Sequence, residues 1–371
     1  MTKVSVPINK QSEQFNISPQ YARISMAAAI QLGLKKGKFY RGAECGCINL
    51  LQNYPEGCYA NCTYCGLARE RPGVVEDNTF IRVSWPLYSS DILAGRIRDL
   101  ESRSGVGRVC ISQVQDPRSN ADLLAMTKQI HDSVPDVPIS ALVNATTMSR
   151  ELFVELKNLG VDDIGFGLDG ASERIFYENR GRGAKSPHDW NQHWEMISTA
   201  REIFGPMKVN CHIIVGLGET DRELVDLFFR LTEKQIKGYL FSFNAEPGSA
   251  LQNVKRQPIS RHRRIQLVKY LIVNSLIKRE EIVFDDRGSI LMLHVPAGLI
   301  ERAINNRTAF MTDGCPDRNG KMTCNRPFGS YKPGEEFRDY PFLPNQDDLK
   351  EIREQMRIED ILVKEAAAVQ S

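Results

Sequence analysis

The chain has 371 residues, 25% charged and 42% hydrophobic, with 48 Lys plus Arg against 46 Asp plus Glu. The net charge of +2 excludes a protein built mainly to coat nucleic acid or an anionic membrane. No uninterrupted apolar run is long enough to span a bilayer, and residues 1–20 lack the apolar stretch of a signal peptide, so a cytoplasmic location is expected.

In chain order, an Ala-rich apolar pattern predicts a helix at about residues 19–33. Strands are then expected near residues 48–53, 108–113, 137–143, 163–168, 208–215, 238–243, 281–286 and 308–312. Helical patterns fall between them, near 89–101, 121–133, 150–159, 187–203, 221–234, 260–278 and 296–305. Leu224, Leu227, Phe228 and Leu231, for example, share one face at helical spacing. Ser149 and Thr220 stand where helices should start, and Gly160 where one should end. Strands alternating with helices imply a parallel sheet, most simply a closed (β/α)8 barrel over residues 45–312. A six-stranded open barrel with separate α/β additions is the alternative. Residues 1–44 read as a helical N-terminal extension. Residues 313–371 read as a C-terminal extension, irregular to Pro344 and ending in an amphipathic helix that puts Leu349, Ile352 and Met356 on one side.

Nine cysteines in a reducing compartment are not read as disulfides. Cys58, Cys62 and Cys65 form a tight CxxxCxxC loop just after the first strand. Three thiolates can hold three irons of a 4Fe–4S cluster and leave the fourth open. A structural zinc site would want a fourth Cys or His nearby, and none occurs within ten residues after Cys65. Zinc and unmetallated thiols remain as alternatives.

This spacing, with Tyr64 before the last cysteine, resembles the radical S-adenosylmethionine superfamily. The resemblance implies that S-adenosylmethionine chelates the open iron and that one electron cleaves it to a 5′-deoxyadenosyl radical. It also implies a barrel whose mouth shields that radical from water. The strand Val209-Asn-Cys-His-Ile-Ile-Val215 followed by Gly216-Leu-Gly-Glu-Thr220 resembles the fifth-strand motif of biotin and lipoyl synthases, where the backbone faces the adenine. Gly216, Gly218 and Glu219 are therefore candidate nucleotide-binding residues, against the plainer reading of a tight turn capped by Thr220. Gly167-Leu-Asp-Gly170 resembles the end of the fourth strand, which makes Asp169 a candidate for the ribose or methionyl part. Arg180 is a candidate for the nucleotide carboxylate. Gln113 and Asn144, at strand ends, are candidates for its amine, although the usual Gly-Gly-Glu signal is absent.

Sulfur-inserting members of that group carry a second cluster as sulfur donor. Cys45-Gly-Cys47 before the first strand and Cys315 with Cys324 after the eighth would make a complete set of four thiolates for an auxiliary 4Fe–4S cluster. Ser330, in Ser330-Tyr331, resembles the serine ligand of lipoyl synthases and is a rival ligand. Residues 48–53 would span about 20 Å at roughly 3.3 Å per residue. Cys47 then starts near the barrel floor and Cys315 near the top, so the two pairs meet only if a terminal segment folds across. Cys110 aligns with a biotin-synthase ligand, but Cys110 and Cys211 read more simply as packing residues. His212 reads as a core histidine, with orientation into the barrel as the alternative. The basic run Arg261-His-Arg-Arg264 reads as a solvated helix start or a dock for an acidic carrier domain.

The resemblance therefore implies a radical sulfurtransferase, most like one component of a two-protein lipoyl synthase. Its substrate would be an octanoylated lipoyl carrier protein or peptide. Its partners would be a second radical sulfur-inserting protein and a ferredoxin or flavodoxin reductant. A biotin-synthase-like enzyme acting on dethiobiotin is the alternative of the same chemistry, and a radical mutase or lyase without sulfur insertion that of another class.

Overall fold

Alternating side chains along the strands build both faces of the sheet. Along β2 (Cys47–Leu51) and β6 (Arg108–Ser112), Ile48, Leu50, Val109 and Ile111 are buried among the helices. The residues between them, Asn49, Cys110 and Ser112, line an inner cavity. That division is the period of two expected of pleated strands. The computed structural model describes residues 16–73, 79–80, 82–327 and 335–362.

Six strands run parallel in the order β2, β6, β7 (Ile139–Val143), β8 (Val161–Asp169), β9 (Val209–Val215) and β10 (Lys237–Ser242). At the β2 edge the sheet continues antiparallel through β1 (Tyr21–Ile24) to β5 (Leu87–Ser89). A short hairpin of β3 (Thr79–Phe80) and β4 (Val83–Ser84) precedes β5. Helices α2 (Ser90–Ser104), α3 (Ser119–Ser133), α4 (Arg150–Asn158), α6 (Trp190–Phe204), α7 (Asp221–Glu233), α8 (Ile259–Val273) and α9 (Ala297–Asn306) occupy all seven predicted helical stretches. Thr220 and Glu223 close a capping box at the start of α7, whose Leu224, Leu227, Phe228 and Leu231 are buried as predicted.

The eight-stranded parallel barrel is corrected to this mainly parallel α/β sheet. The stretch predicted as a seventh strand forms β11 (Ile282–Phe284), which pairs only with β12 (Ile290–Leu293) in a separate antiparallel hairpin. Asp285 accepts the amides of Arg287 and Ser289 and folds the chain back there. The predicted eighth strand is a 3-10 turn, Thr308–Phe310. The predicted N-terminal helix is also divided. Tyr21–Ile24 is drawn into the sheet, and only Met26–Gln31 is helical, capped by Ser25. Among the described residues six strands are parallel, closer to the open form.

The C-terminal extension crosses the floor of the sheet, where the parallel strands begin. Arg108 Nε donates to Pro316 O at 2.7 Å, and Asp313 accepts the Leu240 amide at 2.7 Å and pairs with Lys269. Asn325 Nδ2 donates to Glu44 O at 2.6 Å. Thr323 sits against Gly46 and Gly107. A Cβ at Gly46 would lie 1.9 Å from Thr323 Oγ1, and one at Gly107 2.3 Å from it. These two glycines make room for the floor plug.

Candidate functional site

At the upper ends of the strands, Cys58, Cys62 and Cys65 line a cavity of about 220 Å³. Their loop is fixed by local hydrogen bonds. Tyr59 N donates to Gln115 O at 2.8 Å, Thr63 N to Asn179 O at 2.9 Å, and Asn61 Nδ2 to Ala184 O at 3.0 Å. Burial pushes the Cys58 thiol up to about 11 and raises Cys62 and Cys65 as well. Neutral thiols therefore prevail until a cation stabilises the thiolates.

Five predicted ligand-binding residues line the same cavity and are linked in one chain of hydrogen bonds. Gln113 Oε1 accepts the Asn144 amide at 3.0 Å, and Asn144 Oδ1 accepts from Arg180 Nη2 at 3.3 Å. Arg180 Nη1 lies 2.8 Å from Asp169 Oδ2, 3.3 Å from the Tyr64 hydroxyl and 3.6 Å from Cys62 Sγ. Tyr64 donates to Asp169. Burial raises the Asp169 carboxyl while Arg180 opposes it. Arg180 Nε has no partner although it is buried. The chain thus places three thiols and a buried ion pair around one space.

Gly216, Gly218 and Glu219 do not line that cavity. The Glu219 carboxylate folds back to accept the Gly216 and Leu217 amides at 2.9 and 2.8 Å and pairs with Arg261 at 3.0 Å. Gly216 and Gly218 take φ of 115° and 104°, a conformation open to glycine. The loop instead packs Leu217 into an apolar cluster with Ile175 and Phe243, against Tyr64. Arg261 and His262 of the basic run are likewise engaged, with Glu219 and Asp221 and with Asp339.

A second cavity lies below, nearer the floor. Cys47, Cys315 and Cys324 share a buried cluster with Tyr239, and Cys110 packs against it. Cys110, Cys315 and Cys324 line the cavity itself. Asn49 Nδ2 is 3.5 Å from Cys47 Sγ and 3.7 Å from Cys324 Sγ, and Asn210 Nδ2 is 3.7 Å from Cys315 Sγ. A hydrogen bond from Cys47, against burial, and the neighbouring Arg326 hold the Cys324 thiol well below its ordinary value. Arg326 stacks on Phe241, 4.1 Å from its ring centre. Asn210 Oδ1 is buried without a hydrogen-bond partner. Ser140 adjoins the Cys110 thiol and Tyr239 the Cys315 thiol. Thiols with amide donors from Asn49 and Asn210 beside them suit a sulfide-bearing cluster, which bonds to the former and accepts from the latter. Among the described residues no three His, Cys, Asp or Glu side chains are grouped as a site for a single metal ion.

Cys45 does not line this cavity, its Sγ lying 3.4 Å from Cys47 O, although it is near enough to feel the charge of Cys324. Ser330 lies outside the described residues. Cys211 is fully buried on the helix-facing side of β9, as a packing residue. Sequence reasoning missed Arg326 and set Cys110 down as a packing residue although it aligned with a biotin-synthase ligand. Alternation in Arg108-Val-Cys-Ile-Ser112 was the available signal, since Val109 and Ile111 claim the core face and turn Cys110 inward.

Residues 53–231 match the Radical SAM superfamily. A biotin synthase of Hydrogenobaculum sp. is 23% identical over 222 residues, 59% of this chain and 62% of that protein. One of Saccharopolyspora erythraea is 26% identical over 190 residues, 50% of this chain and 48% of its own length. The chain thus spans less than two thirds of these relatives. The crystal structure of a methylornithine synthase covers 91% of this chain and 87% of its own at a TM-score of 0.50 and 11% identity, a likeness of fold. No helix among the described residues is long and apolar enough to cross a membrane. The match to the Radical SAM superfamily begins just ahead of the CxxxCxxC loop and spans residues 53–231, and the chain is distantly similar to biotin synthases.

Proposed function

We propose that this enzyme inserts sulfur into an unactivated C–H bond, using the upper thiols for the cluster that cleaves S-adenosylmethionine and the lower thiols for an auxiliary sulfur-donating cluster. The observation that carries this reading is the lower cavity, where thiols from two strands and from the floor plug converge beneath the CxxxCxxC loop. Cys58, Cys62 and Cys65 would hold the first cluster, and Cys47, Cys110, Cys315 and Cys324 are the donors for the second. When bound, these groups supply an electron to break the sulfonium, a deoxyadenosyl radical that takes the substrate hydrogen, and sulfide for the new C–S bond. The chain's own residues bind and orient. Arg180 would place its guanidinium toward a carboxylate, Asn144 and Gln113 present amide groups beside it, and Phe80 and Leu142, which line both cavities, would help exclude water.

The relatives favour a dethiobiotin-type substrate. An octanoyl chain on a carrier-protein lysine is the second reading, favoured by the plug, which brings two thiols from beyond the matched segment. After anaerobic reconstitution, two cubanes should give about eight irons per chain. About four would overturn sulfur insertion and favour a radical mutase or lyase. Sulfur gained by dethiobiotin supports the first substrate, and sulfur gained by an octanoyl-lysyl peptide the second. A second sulfur-inserting protein and a ferredoxin or flavodoxin would be partners in the latter case.

A further inference from the structure

The two cavities share four lining residues, Phe80, Leu142, His212 and Arg326. Two are apolar. Arg326 is engaged with Cys324 and stacked on Phe241. His212 is the remaining polar group. It lies on the inner face of β9, between Asn210 at the lower thiols and Ile214 in the upper cavity. Its ring is held between Tyr239 and Phe241, at centroid distances of 6.0 and 5.0 Å. Burial, with the charges of Arg326 and Arg180, holds its pKa well below the ordinary histidine value. Among the described residues no hydrogen bond reaches either ring nitrogen, and neither is sealed off from the cavity as an orphaned buried atom.

A neutral imidazole keeps one N–H donor and one lone pair. Enclosed polar groups find partners, and this ring lines both cavities. We infer that His212 is a substrate-binding residue, which hydrogen-bonds an uncharged polar group of the substrate, an amide or carbonyl, and so aligns the adjacent aliphatic carbon between the upper and lower sites. This rests on the two-cavity reading above. A carboxylate is not the group bound here, because a neutral ring offers it a single donor while Arg326 is committed to a thiol.

The test uses the reconstituted full-length enzyme with dethiobiotin and with an octanoyl-lysyl peptide. Iron content, S-adenosylmethionine affinity, 5′-deoxyadenosine and sulfur-containing product are all measured. His212→Leu should keep both iron sets and the S-adenosylmethionine affinity. Product should fall about tenfold, the cost of one neutral hydrogen bond, while 5′-deoxyadenosine continues, so that more nucleotide is cleaved per product formed. His212→Gln, which retains a donor and an acceptor, should restore part of the coupling. An unchanged ratio in His212→Leu overturns the inference and leaves the sulfur-insertion reading standing. Loss of the lower irons in both variants would make His212 a structural residue of that cavity and overturn it too. A wild-type enzyme that transfers sulfur to neither probe overturns the reading and the inference together.

Discussion

Arg180 and Asp169, 11 positions apart in sequence, form a buried ion pair at 2.8 Å against the cysteine loop. Asp169 ends β8 at a φ of 59°, so its carboxylate turns back over the cavity. The pair joins the thiol loop, through Cys62 and Tyr64, to the strand ends carrying Asn144 and Gln113.

Removing one partner leaves the other charge buried alone. Arg180→Leu should destabilise the fold by about 3–5 kcal/mol, as breaking buried pairs does. Asp169→Asn, which keeps a hydrogen-bond acceptor, should cost less. Both should weaken S-adenosylmethionine binding at least about tenfold, since a charge-assisted contact is disturbed. Thermal unfolding and equilibrium dialysis check the two effects separately.

The inner and outer faces of the strands should answer differently to loss of a thiol. Cys110→Ala or Cys324→Ala should remove the lower irons and keep the upper set. Cys211→Ala, on the core face, should keep both and cost only about 1 kcal/mol of stability. Iron counting with the electron paramagnetic resonance of the reduced protein separates these outcomes. A lower set that survives Cys110→Ala would return Cys45 to the ligand set.

Gly46 has no room for a side chain. A methyl group there would lie 1.9 Å from Thr323 Oγ1, so Gly46→Ala should displace the plug and lower the iron content by about half. Thr323→Ala removes that oxygen. The double variant should regain part of the lower iron, which would show that contact rather than general misfolding is at fault.

Acid should loosen the plug's anchor. Burial raises the Asp162 carboxyl, but its bonds to Arg108 and the charge of Lys208 bring the net value below the ordinary 3.8. Arg108 in turn holds Pro316 O. A carboxylate lowered in the folded state contributes stability that is fully present above its unfolded value and is lost as pH falls through the folded one. Plug protection in hydrogen exchange should therefore hold from neutral pH to about 4 and decline below it. Asp162→Asn should remove this component of the acid response.

Much of the upper site was legible because it is local. CxxxCxxC is a contiguous motif, and Asp169, Asn144 and Gln113 were found by their places at strand ends. Glu219 misled because its motif reads alike whether the carboxylate meets a ligand or its own loop. In this structure the amides of Gly216 and Leu217 take it. The lower site depends on contacts far apart in sequence. Nothing near Thr323 announces that it packs against Gly46 and Gly107, yet that contact brings Cys324 beneath β2 and β6. Strand parity separates Cys110 from Cys211 without a structure. Apolar neighbours fill the core face around Cys110, whereas Cys211 shares the core face with Ile213 and leaves Asn210 and His212 inside.

The floor plug also sets an order in time. A ribosome makes the cysteine loop, Asp169 and Arg180 long before it reaches Cys315 and Cys324, so the lower thiols are gathered only after the upper site has been made. A chain that stopped at residue 312 would carry the upper thiols but lack two of those beneath them. A cluster in the lower site, as proposed, would therefore be held fully only by a polypeptide translated through Cys324.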